Sequence, residues 1–96
     1  MIHTVKNQTN ASMISALVRA EALIMYLSAQ GVSIKSVSLR HAQPVIRIER
    51  SAWCERMKAK GLARFDHFGH DRFGRFRQGI WPDESGCRVV WSESVH

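Results

Sequence analysis

The sequence predicts an α+β domain: a long N-terminal helix and a short second helix packed on an antiparallel sheet of hairpins. Three observations predict it. Apolar residues recur at helical spacing between residues 10 and 30. Alternating runs follow at 32–41 and 45–50. Two further strand-like runs, 75–81 and 87–93, bracket the turn residues Pro82-Asp83-Glu84-Ser85-Gly86. At 96 residues the chain is read as one domain, 1–96, with apolar residues spread from end to end and no linker composition.

Residues 1–8 read as a polar lead with a short strand at Ile2–Val5. The helix then occupies NQTNASMISALVRAEALIMYLSAQG, with Thr9 or Asn10 as its cap and Gly31 as its left-handed stop. Met13, Leu17, Ala20, Ile24 and Leu27 alternate at spacings of four and three, which stacks them on one face. Ile14, Val18 and Met25 widen that stripe. A helix so apolar is wrapped by its own domain or shared with a partner, which makes 13–27 the candidate homodimer face.

In VSIKSVSLRH, Val32 and Ile34 share one phase while Val37 and Leu39 share the other. Side chains alternate with period two, so a bulge or bend is expected near Lys35–Ser36. Ala42-Gln43-Pro44 is the expected connection to VIRIER, where Ile46 and Ile48 point one way and Arg47 and Glu49 the other. Ser51 and Gly61 then bracket the second helix. Trp53, Cys54 and Met57 form its buried face; Arg56, Lys58 and Lys60 should be wet.

The segment RFDHFGHDRFGRFRQG, residues 64–79, holds all four phenylalanines of the chain, four arginines, two histidines and three glycines. It is expected to be a loop-rich stretch anchored by at least two buried phenylalanines. Between Arg50 and Arg77 there are eight Lys/Arg and three Asp/Glu, within a chain of net charge +6 and pI about 10.2. Such a balance favours an acidic partner. Arginine matches phosphate geometry, aromatic rings stack on unpaired bases, and glycine admits close backbone approach. The expected function is therefore non-enzymatic binding of nucleic acid through Arg64, Arg72, Arg75 and Arg77, supported by Arg56, Lys58 and Lys60, with Phe68 or Phe73 stacking on a base. The alternative is docking on an acidic host protein or nucleoprotein complex, since Phe, Trp and Arg also favour interface centres.

Catalysis finds little support. No phosphate-binding glycine loop, nucleophile elbow or H-E-x-x-H helix is present, and no cofactor is implied. Cys54, His67, His70 and Cys87 could chemically hold zinc. Structural zinc sites usually present two tightly spaced pairs, and this chain supplies only His67-x-x-His70. Two cysteines far apart in sequence read as reduced thiols of a cytosolic protein. The apolar run Ala22–Leu27 is too short to span a bilayer, so a cytoplasmic location without membrane contact is expected.

No motif assigns a named family. In its basic composition, compactness and Arg/Phe-rich segment without catalytic signature, the chain resembles the short accessory proteins of temperate phages and other mobile elements. That resemblance implies binding without chemistry, including inhibition of host nucleases or defence complexes, and carries over no site residues.

Overall fold

A computed structural model describes the backbone of residues 2–95 and the side chains of residues 10–95. The chain runs α1 (Ile2–Ala29), β1 (Ile34–Arg40), β2 (Gln43–Ile48), α2 (Ala52–Ala59), β3 (Arg64–Asp71), β4 (Gly74–Pro82) and β5 (Arg88–Val95). The fold is α+β, as expected, with both helices against one five-stranded sheet.

Two glycines end the helices in the same way. Gly31 (φ +78°) and Gly61 (φ +72°) adopt the left-handed conformation. The Val32 N–H then bonds to the Leu27 carbonyl, and the Leu62 N–H to that of Met57. These are the wrap-around bonds of a Schellman stop, which satisfy carbonyls the helix leaves open. The start of α1 differs from expectation. Helix extends back to Ile2, so no strand forms at Ile2–Val5, and Thr9 and Asn10 lie inside the helix rather than at its cap.

The buried face of α1 is Ala16, Ala20, Leu23 and Leu27. It shares Ala20 and Leu27 with the expected stripe but runs one residue aside elsewhere. Met13 and Leu17 are exposed, with Ile14, Val18 and Met25, and Ile24 is half-buried. Two alanines explain the choice: small side chains let the helix axis approach β1 and β2 closely, leaving the larger residues outside. Asn10–Ala29 is long and apolar enough to cross a bilayer by length and composition, which the shorter Ala22–Leu27 run does not reveal. Its inner face is nonetheless committed to the sheet. Arg19 fastens it there, donating to the Ser85 carbonyl at 2.6 Å and the Ala42 carbonyl at 3.3 Å.

The β1–β2 hairpin carries the expected bulge, a register shift between Ile34 and Ser36. Its turn comes earlier than expected, at His41-Ala42, with φ +51° and +61°; Gln43 and Pro44 belong to β2. Residues 64–71 are a strand, not a loop. They pair with β4 through a turn at Arg72-Phe73, closed by Gly74 at φ +115°. A second register shift, between Phe65 and His67, breaks the period-two pattern that would have marked this strand.

The sheet order is β1-β2-β5-β4-β3. Every pairing is antiparallel except β2–β5, which is parallel over Val45–Arg88, Ile46–Val89 and Arg47–Val90. Paired residues share a face. Ile46, Ile48, Val89 and Trp91 therefore meet the helices and form the core with Leu23, Leu27, Val32, Trp53, Cys54, Met57 and Cys87. Trp53 of α2 stands edge-on to Trp81 and Trp91, at centroid distances of 5.2 and 6.3 Å. Gly79, opposite Trp91, leaves room for the indole to lie across β4.

Candidate nucleic-acid interface

Strand alternation divides the residues expected to form one basic face. Arg64 pairs with Ile80, on the sheet face that neither helix covers among the described residues. Arg75, Arg77 and Phe68 fall on the helix side of the sheet. Arg72 and Phe73 form the β3–β4 turn, with the Arg72 guanidinium 5.0 Å from the Phe73 ring centre. Arg56 is exposed on α2 and Lys60 at its C-cap. Phe73 and Phe68 are 82% and 67% exposed. Phe65 and Phe76 are half-buried, so neither anchors the core as two of the four were expected to.

Two expected contact residues are occupied by the protein itself. The Glu93 carboxylate is buried beneath α2. It accepts from Lys58 Nζ at 2.9 Å, Trp91 Nε1 at 2.8 Å and Arg77 Nη2 at 3.3 Å, with Arg50 Nε 3.8 Å away. Arg77 also lies 3.7 Å from the centre of the Phe65 ring. Burial pushes the Glu93 carboxyl up, but its bonds to Lys58 and Trp91 and the nearby Arg50 outweigh this and hold it below the usual carboxylate range. Burial likewise opposes the Lys58 charge, and Glu55 and Glu93 outweigh it, raising Lys58. Lys58 is thus half-buried and paired, not wet, and neither Lys58 nor Arg77 is free to neutralise a phosphate.

The candidate zinc ligands do not meet. Cys54 and Cys87 are buried thiols of the core, and burial raises the Cys54 thiol. His67 and His70 are exposed on β3. Among the described residues no three His, Cys, Asp or Glu side chains come together as a metal site.

The open face of the sheet holds a constellation absent from the expected set. A cleft of about 300 Å³ is lined by Arg40, Arg47 and Arg88, with His41, Gln43 and Gln78 around a floor of Val45, Ile80 and Val90. Ile80 and Val90 are each 2% exposed although no helix covers them. Their cross-strand neighbours Arg64 and Arg47 account for this, because arginine stems cover apolar surface while the guanidinium stays wet. Among the described residues no carboxylate lines the cleft. None of Arg40, Arg47, Arg64 and Arg88 forms a salt bridge among the described residues. The available sequence signal was phase: each arginine on β2 and β5 stands out of step with the core residues beside it. Their convergence depends on the parallel β2–β5 pairing, which no local pattern encodes.

Comparison with known proteins finds no matching family model, no matching curated protein and no matching solved structure.

Proposed function

We propose that the protein binds nucleic acid, without chemistry, through the helix-free face of its sheet. One observation carries this reading: Arg40, Arg47 and Arg88 line a cleft, with Arg64 on the same face, and among the described residues no carboxylate lines it or pairs with any of the four. Arginine forks suit phosphate oxygens, and an open sheet lets an extended backbone lie across them. The net charge of +6 adds attraction at longer range.

The test is fluorescence anisotropy against labelled single- and double-stranded oligonucleotides at two salt concentrations. Binding should weaken as salt rises. Arg47→Ala with Arg88→Ala should weaken it further and reduce the salt slope by about 2, near one per lost phosphate contact. Arg56→Ala with Lys60→Ala, on α2 and its C-cap, should do much less. Unchanged binding by the sheet-face variant sinks the reading.

A second reading, docking on an acidic host protein as in a phage-type modulator, is favoured by the β3–β4 turn. Phe73 is exposed there beside Arg72, and Phe68 is exposed further back on β3, on the helix side of the sheet. Phe68→Ala with Arg72→Ala, at residues that line neither sheet-face cleft, separates the two: it should spare nucleic-acid binding by the sheet face but abolish capture by such a partner.

A further inference from the structure

The open face carries a second cleft, beyond the arginines along β5. It also measures about 300 Å³ and is lined by Asp71, Phe73, Phe76, Ser92 and Ser94, with Arg75 and Glu93 contributing. Register puts Gly69, Phe76 and Ser94 in one row, and His67, Gln78 and Ser92 in the next. Gln78 belongs to the lining of the arginine cleft and Ser92, its partner, to that of this one. The two clefts are therefore adjoining parts of a single surface. From Arg88 to Ser94 is six residues along β5, about 20 Å at strand rise.

The Phe76 ring has a specific placement. A Cβ at Gly69 would collide with its outer edge, so the ring lies down across β3 in the space that glycine leaves. A ring lying along a sheet and half-exposed presents a face to solvent. His67 stands beside it at a centroid distance of 6.1 Å, and Phe73 supplies a second, 82% exposed ring to the same cleft. The Asp71 carboxylate accepts the Phe73 N–H through Oδ1, which holds the turn over the cleft. Hydroxyls of Ser92 and Ser94 line the opposite side.

We infer that this cleft is a base-stacking subsite, and that the nucleic acid taken by the sheet face is single-stranded. The inference rests on the phosphate-binding reading above. The arginine cleft holds the sugar-phosphate backbone, and an unpaired base lies on Phe76 under Phe73. A duplex keeps its bases paired and stacked inside, so it gains nothing from the aromatic cleft. The carboxylate and hydroxyls at the rim suit the N–H and carbonyl groups of a base edge. They do not suit a phosphate, which the Asp71 charge repels.

The test compares a labelled oligodeoxythymidine with an abasic strand of equal length, and with duplex, at one low salt concentration. Both single strands offer the same phosphates, and only one offers bases. The protein should bind oligodeoxythymidine about fivefold to a hundredfold more tightly than the abasic strand for each stacked base. Phe76→Leu, which keeps an apolar side chain over Gly69, and Phe73→Ala, at an exposed turn, should each shrink that ratio and leave abasic-strand affinity unchanged. Phe73→Ala keeps the test informative should Phe76→Leu disturb the sheet. Equal affinity for both single strands, or tighter binding of duplex, would overturn the subsite while phosphate binding stands. No binding of any strand would overturn the phosphate-binding reading and the subsite with it.

Discussion

The indole N–H of Trp91 donates to Glu93 Oε2 at 2.8 Å, two residues along the same face of β5. A core indole and the buried carboxylate thus orient each other, and Lys58 of α2 closes over both by donating to the same oxygen at 2.9 Å. Glu93 thereby ties α2 to β5 through Lys58.

Glu93→Gln should destabilise the fold by about 1–3 kcal/mol. The cost stays within that range because Arg50 and Arg77 remain partly solvated and can rehydrate. The pH dependence follows from the lowered Glu93 carboxyl. A group depressed in the folded state contributes fully above its unfolded value, about 4.3 for a glutamate, and the contribution is lost as pH falls through the lower folded value. Urea titrations at neutral and acid pH should show the wild type losing more stability on acidification than Glu93→Gln. Equal losses would assign acid sensitivity elsewhere.

Two glycines face aromatic rings, and their substitutions should differ. A Cβ at Gly79 meets the indole of Trp91, which is 0% exposed and cannot move aside. Gly79→Ala should cost about 1–3 kcal/mol or more through overpacking. At Gly69 the obstructing ring is Phe76, half-exposed and able to swing outward. Gly69→Ala should cost distinctly less. Thermal melts of the two variants decide it, and reversed order would contradict the packing described.

Arg19 reaches carbonyls on two turns at once, Ala42 before β2 and Ser85 before β5. Arg19→Ala should cost about 1–3 kcal/mol, since hydrogen bonds from a charged donor exceed neutral ones. Arg19→Lys should recover little, because one ammonium lacks the fork that spans both carbonyls. Denaturant midpoints of the two variants provide the measurement; full rescue by lysine would mean that charge alone matters.

His41 and Ala42 both occupy positive φ, at +51° and +61°, where side chains other than Asn and Gly are strained. Replacing them with Asn-Gly should stabilise the hairpin by about 1 kcal/mol, a rise in Tm of about 4–8 °C for a domain of this size. A lower Tm would mean that His41 or Ala42 makes compensating contacts.

Legibility in the sequence followed the range of each interaction. Gly31, Gly61, the Lys35 bulge and the Trp53–Met57 face are local, and local pattern predicts them. The α1 face was off by one residue because alanine and leucine both count as apolar, while close approach to a sheet selects alanine at 16 and 20. The strand at 64–71 was hidden because its register shift puts Phe65 and Phe68 three residues apart, out of strand period. Arg40, Arg47, Arg64 and Arg88 come from four different strands, and their convergence is a property of strand order rather than of any segment.

The parallel β2–β5 pairing has a consequence for when the arginine cleft exists at all. Within the sheet it is the sole seam between the N-terminal hairpin and the C-terminal meander, only three residue pairs long, and two of those pairs include Arg47 or Arg88. The hairpin brings Arg40 and Arg47; the meander brings Arg64 and Arg88. Closing the seam joins segments about forty residues apart, a step opposed by chain entropy and therefore late in assembly. A chain stopped short of β5 keeps Arg40, Arg47 and Arg64 but lacks Arg88 and the strand that forms the cleft floor through Val90, and so has no cleft. Under the proposed reading, a polyanion laid across the finished surface would clasp that seam, and its binding free energy would add to the resistance to the two halves coming apart.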